Sequence, residues 1–165
     1  YYRDCRILAI YEGTNGIQAL DLLRRKLFQE NGETYKKVLQ IIKNTAELAI
    51  NSENTHLKEL GKLLLKSHDA IEDCSVWLID KHEENPEISA AGATPFLNMF
   101  GWVLGGWVML NSANKAQLII LKDKNNKFAK EKINTASFFC NTYLPLASSL
   151  QNTIKKSFYA LENFN

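Results

Sequence analysis

The chain has 165 residues, 45% hydrophobic and 23% charged, which suits one compact domain with a core of its own and hardly two. Its 20 basic and 18 acidic residues leave a net charge of +2, too balanced to imply nucleic acid or an anionic membrane as partner. Three cysteines, Cys5, Cys74 and Cys140, lie far apart and form no Cys-x-x-Cys pair. That excludes a disulfide scaffold and a cysteine zinc site, and fits a reducing, cytoplasmic setting.

Ile7, Ile10 and Tyr11 recur at helical spacing, and Ile17, Leu20 and Leu27 do so again with Leu22 and Leu23 between them. Both segments are predicted as amphipathic helices. Gly13 breaks the first, and Asn15 with Gln18 three residues later caps the second. Glu12 is thereby presented at a helix–loop–helix corner. Glu30, Asn31 and Gly32 form a stop signal.

Val38, Ile41, Ile42, Ala46 and Ala49 trace a third helix over 35–49, and 51–55 is a polar connector rich in capping residues. A long fourth helix carries Leu57, Leu60, Leu64, Ile71 and Leu78 on one stripe, with Gly61 letting a neighbour approach, and it closes at Asn85 and Pro86. Residues 87–121 are the most apolar stretch and hold a Gly-x-x-x-Gly spacing at Gly101 and Gly105. A membrane span needs about 20 uninterrupted apolar residues. Asn98 interrupts the run, and Asn111, Ser112 and Asn114 follow it, so a helix buried on most sides is predicted and no span. After a solvated turn at 122–127, Ile133, Ala136, Cys140, Tyr143, Ala147, Leu150, Ile154 and Leu161 step like a bundle seam, with a kink expected near 141–144 from Pro145. No segment shows sustained period-two alternation. The fold class predicted is all-α, an antiparallel helical bundle of long helices.

His68, Asp69, Glu72, Asp73 and Cys74 fall on adjacent helical turns, where they would suit a metal ion. No His-x-x-x-His or Glu-x-x-His pair accompanies them, so solvated surface groups and no metal are expected. Cys140 is expected as a small buried hydrophobe, and Trp77, Trp102 and Trp107 as core or interface. Nothing local supports a Ser-His-Asp or Cys-His apparatus or a glycine-rich phosphate loop.

The most specific pattern is Tyr2-Arg3-Asp4-Cys5-Arg6-Ile7, then Ile10-Tyr11-Glu12-Gly13-Thr14-Asn15, then Ile17-Gln18. It closely resembles the signature near the end of the acyl-CoA dehydrogenase catalytic domain. The resemblance implies that Glu12 is the base removing the α-proton of an acyl-CoA thioester, while FAD accepts the β-hydrogen as hydride. A carboxylate serves as such a base once burial raises its pKa. The resemblance further implies that the Glu12 backbone N–H steadies the developing enolate, as an oxyanion hole does. It puts Tyr11 and Gly13 at the substrate and Thr14, Asn15, Gly16 and Arg24 at FAD. The absence of a Cβ at Gly13 would let substrate approach the backbone. Cys5 stands where the family usually has alanine, and Gly16 where it has a larger, often polar residue, which leaves only backbone to serve there.

The pattern lies late in that family's chains, and this chain opens on Tyr1 with no leader-like stretch. A C-terminal piece is therefore expected, with 1–31 as the last helix pair of the catalytic domain and 32–165 as a helical-bundle extension. Pro95-Phe96-Leu97, the 101–107 stretch, Lys132-Ile133, Phe138-Phe139 and Leu144-Pro145 resemble the extension of the branch that includes the methylmercaptopropionyl-CoA dehydrogenases. The partners implied are acyl-CoA, an electron-transfer flavoprotein and further copies of the chain in a homo-oligomer. Two alternatives stand beside this reading: a non-catalytic bundle for oligomerisation or partner binding, and an acyl-CoA oxidase.

Overall fold

The computed structural model describes residues 2–10, 15–156 and 159. No strand occurs among them. They form six α-helices: α1 (Asn15–Asp21), α2 (Glu33–Ile50), α3 (Thr55–Glu84), α4 (Pro86–Ala91), α5 (Ala93–Lys122) and α6 (Lys127–Lys156). The expected all-α bundle is what the chain builds. Helices joined by short connections, α2 with α3 and α5 with α6, run antiparallel, and the two hairpins pack side by side. Across that junction α3 and α6 run parallel, since Ser67 meets Leu144 while Asp73 meets Gln151 and Lys155.

The capping chemistry sets the boundaries. Asn54 accepts from His56 N (2.9 Å) and Leu57 N (3.4 Å) to start α3, and its side-chain amide donates to Gln117 Oε1 on α5 (2.9 Å). Asn85 accepts from Glu87 N (2.9 Å), with Pro86 at the first turn of α4. The stop signal at 30–32 is a true reversal: Glu30, Asn31 and Gly32 have φ of 52°, 56° and 81°.

Leu57, Leu60, Leu64, Ile71 and Leu78 are all buried, as their spacing predicts. Ile42, Ala46 and Ala49 of α2 and Ile133, Ala136, Cys140, Ala147 and Ile154 of α6 join them, with Leu144 added. Leu161 lies outside the described residues. At Gly61 a Cβ would stand 2.8 Å from Ala46 O and 2.9 Å from Ile50 N, so backbone meets backbone where α3 crosses α2. The close approach of α5 to α6 uses Gly105 and Gly106, against Phe139 and Leu144, whereas Gly101 has open space in front of it. The Gly-x-x-x-Gly spacing is thus not the packing unit.

One expectation about an apolar segment needs correction. Helix α5 has the length and composition of a membrane span, yet it packs on α6, α3 and α2 through Phe96, Met99, Val103, Gly106 and Leu110. Its burial is a stripe rather than all round, because only one face meets those helices, and Val108, Leu118, Ile119 and Leu121 are exposed. Helix α6 continues through Pro145 without ending. Pro145 and Asn141, the residue whose carbonyl loses its N–H partner, both lie on the exposed face of the helix.

Candidate functional site

The corner around the predicted carboxylate is described on both flanks. Upstream, Asp4–Ala9 is a 3₁₀ turn, not the expected amphipathic α-helix, and Ile7, Leu8 and Ile10 are exposed. No other described element covers them. Downstream, α1 begins at Asn15 and passes at Leu22–Lys26 into a π-turn marked by Leu27 N to Leu22 O (2.9 Å). The buried stripe is Ala19, Leu23 and Leu27, stepping by fours, so Ile17, expected on it, points outward. Through these three residues the corner shares one continuous core with α2–α6. Phe28 packs on His82 (5.1 Å between ring centroids), and His82 Nδ1 bonds Ser89 Oγ (2.8 Å), whose own hydrogen goes to Pro86 O.

The predicted site residues divide accordingly. Glu12, Tyr11, Gly13 and Thr14 lie outside the described residues. Asn15 is the first helical residue of α1 and exposed, one position inside the expected cap. Gly16 is exposed, and a Cβ there would meet nothing within 4 Å. Arg24 is exposed on the π-turn, next to Arg25, whose Nε holds Asp21 at 2.7 Å. The structure therefore brings Asn15, Gly16 and Arg24 onto one short, core-anchored segment. Their exposure fits contact with a group lying against this segment, but the described residues do not enclose one.

Two clefts lie elsewhere. One, of about 540 Å³, runs between the end of α2, the start of α3 and the end of α5, floored by Leu48, Leu57, Leu118 and Leu121. The other, of about 470 Å³, follows the seam of α2 and α3 and is lined by Tyr35 and His68. His68 was expected as a solvated surface group and is not one. It is only 2% exposed, because it faces α2 rather than the outer side of α3. The buried thiols behave as hydrophobes: burial pushes both Cys74 and Cys140 up to about 12. Cys5 is exposed.

An all-α bundle with a short helical corner packed on one side defines the class. The family model for "acetyl-CoA dehydrogenase C-terminal like" matches residues 37–161. The chain belongs to this family. It is 32% identical over 154 residues to 3-methylmercaptopropionyl-CoA dehydrogenase of Ruegeria pomeroyi, covering 93% of this chain and 26% of the relative. It is 26% identical over 164 residues to the broad-specificity linear acyl-CoA dehydrogenase of Mycobacterium tuberculosis, covering 94% and 26%. With a butyryl-CoA dehydrogenase of Syntrophomonas wolfei the identity is 31% over 150 residues, covering 87% and 24%. The chain spans about a quarter of the length of these curated relatives.

Proposed function

We propose that the chain forms the C-terminal part of an FAD-dependent acyl-CoA dehydrogenase, with 1–31 closing the catalytic domain and the remainder serving as its helical extension. One observation carries the reading: a single chain joins the Ile10-Tyr11-Glu12-Gly13-Thr14 pattern to a bundle matching the C-terminal-like family from residue 37 onward. In this reading Glu12 takes the α-proton of the thioester, and Tyr11 and Gly13 border the substrate. Thr14, Asn15, Gly16 and Arg24 border the cofactor. Bound FAD would supply the acceptor for the β-hydrogen. The contribution of the bundle is mechanical. Ala19, Leu23 and Leu27 are buried in the shared core, so the segment that follows Glu12 in sequence is anchored to the bundle.

The test is Glu12→Gln in the full-length enzyme. Flavin content should be unchanged, while turnover of acyl-CoA falls by roughly 10²–10⁴-fold, the usual worth of a positioned base. Turnover near that of the unmodified enzyme would refute the assignment.

A further inference from the structure

We infer that the cleft between the end of α2, the start of α3 and the end of α5 is a binding site for a small neutral amphiphile, an aliphatic chain ending in an amide-type head. Its volume of about 540 Å³ lies within the range of small-molecule sites, and its lining has their composition, leucines with a few convergent polar groups. One face of α5 supplies both. Asn111, Asn114, Leu118 and Leu121 recur at three- and four-residue spacing and all line the cleft, so amides stand at one end of the stripe and leucines at the other. Ten residues of helix span about 15 Å. An extended chain advances about 1.2 Å per bond, so a head on the asparagines and a tail of about eight carbons along the leucines fit that length. Leu48, Leu118 and Leu121 are 63%, 61% and 67% exposed, apolar surface that such a tail would cover.

The polar atoms select the head group. Asn114 is nine-tenths buried, and the little of it that stays exposed lines the cleft. Its Nδ2 donates to Thr45 O of α2 (3.4 Å), which orients the amide, while its Oδ1 accepts no hydrogen bond among the described residues. An acceptor held in that position calls for a donor on the occupant. Asn111, one turn earlier, makes no side-chain hydrogen bond among the described residues and can give an N–H to an acceptor on the same head. A carboxamide offers both groups, whereas a carboxylate has no proton to donate and a hydrocarbon has neither group. Charge points the same way. Glu53 and Lys115 are the two ionised side chains in the lining, and their opposite signs favour a neutral head. The walls are already tied together: Asn54 Nδ2 donates to Gln117 Oε1 (2.9 Å) between α3 and α5, and Asn114 joins α5 to α2. A cleft formed in advance spares the ordering cost of binding.

The experiment titrates octanamide into the chain, followed by calorimetry and by the leucine methyl resonances. The expected result is saturable binding of one octanamide per chain, with the signals of Leu48, Leu118 and Leu121 moved and that of Leu39, in the α2–α3 cleft, unmoved. Methyl octanoate has the same chain without an N–H and should bind about three- to tenfold more weakly, the worth of one hydrogen bond. Leu118→Gln combined with Leu121→Gln changes exposed side chains alone, so the fold is kept, and should weaken octanamide by about tenfold or more. In Asn114→Ala the advantage of the amide over the ester should disappear, a ratio that the stability of the variant does not move. The inference is overturned by the absence of saturable binding, by equal affinity for amide and ester in the unmodified chain, or by unchanged affinity in the leucine double variant.

Discussion

The Ser67 hydroxyl of α3 lies 3.0 Å from the carbonyl oxygen of Leu144 on α6, one residue before Pro145. Ser67 Oγ is also 3.0 Å from Leu63 O and 3.5 Å from Ser148 Oγ, so Ser67 shares one proton between its own helix and its neighbour. A buried side-chain bond to the backbone beside a helix-interior proline ties α6 to α3 where its own ladder is a bond short. Ser67→Ala removes this tie and should cost about 1 kcal/mol. That lowers the thermal midpoint by about 2–4 °C in a domain of this size. An unchanged midpoint would mean the contact is incidental.

Glycine positions in α3 and α5 should respond in opposite ways to alanine. At Gly61 the added carbon meets backbone atoms of α2 at 2.8–2.9 Å, which no rotamer change relieves. Gly61→Ala should therefore cost about 1–3 kcal/mol as the helices are pushed apart. At Gly101 nothing lies within 4 Å, so Gly101→Ala should gain up to about 1 kcal/mol of helix propensity. Urea denaturation of the two variants measures both signs.

Thiol reactivity should divide one against two. Cys5 is exposed, whereas Cys74 and Cys140 are fully buried and held up to about 12. At pH 8 a disulfide reagent should modify Cys5 at once and the other two only at the rate of unfolding. Mass analysis of the products identifies the fast site, and rapid labelling at Cys140 would contradict the packing of the α5–α6 seam.

Asp73 gives the bundle a small acid dependence. Hydrogen bonds from Lys155 and then Gln151 hold its carboxyl below the usual carboxylate range. A depressed folded value stabilises the fold fully above the pH at which an unfolded aspartate ionises, about 4. That stability is lost as the pH falls through the lower, folded value. The side chain is 47% exposed, so screening keeps the effect to about 0.5 kcal/mol at most. Asp73→Asn should be less stable than the parent at pH 7, and the gap should close in strong acid. A gap that persists there would assign the effect to packing.

Incubated with FAD and freed of excess, the chain by itself should elute without a flavin absorption band. Asn15, Gly16 and Arg24 sit on an open surface, and neither cleft includes them. A retained, shifted flavin band would show that these residues close around the cofactor unaided.

Local spacing alone determined much of this chain. The leucine stripe of α3, the alanine and cysteine seam of α6, the caps at Asn54 and Asn85 and the reversal at Gly32 are each fixed by residues a few positions apart, which is the range over which sequence pattern acts. The order of residues around Glu12 likewise points to a chemistry without any coordinates. Other features depended on which faces meet. The outward turn of Ile17 follows from the four-residue step through Ala19, Leu23 and Leu27, set by contact with α5. The choice of Gly105 and Gly106 over Gly101 follows from where Phe139 and Leu144 arrive from α6, nearly forty residues away. His68 shows the limit most plainly. Its neighbours Asp69, Glu72 and Asp73 make the segment look like a solvated face, and only the approach of α2 buries the ring and leaves the carboxylates outside, because burial belongs to the pair of helices and not to either one.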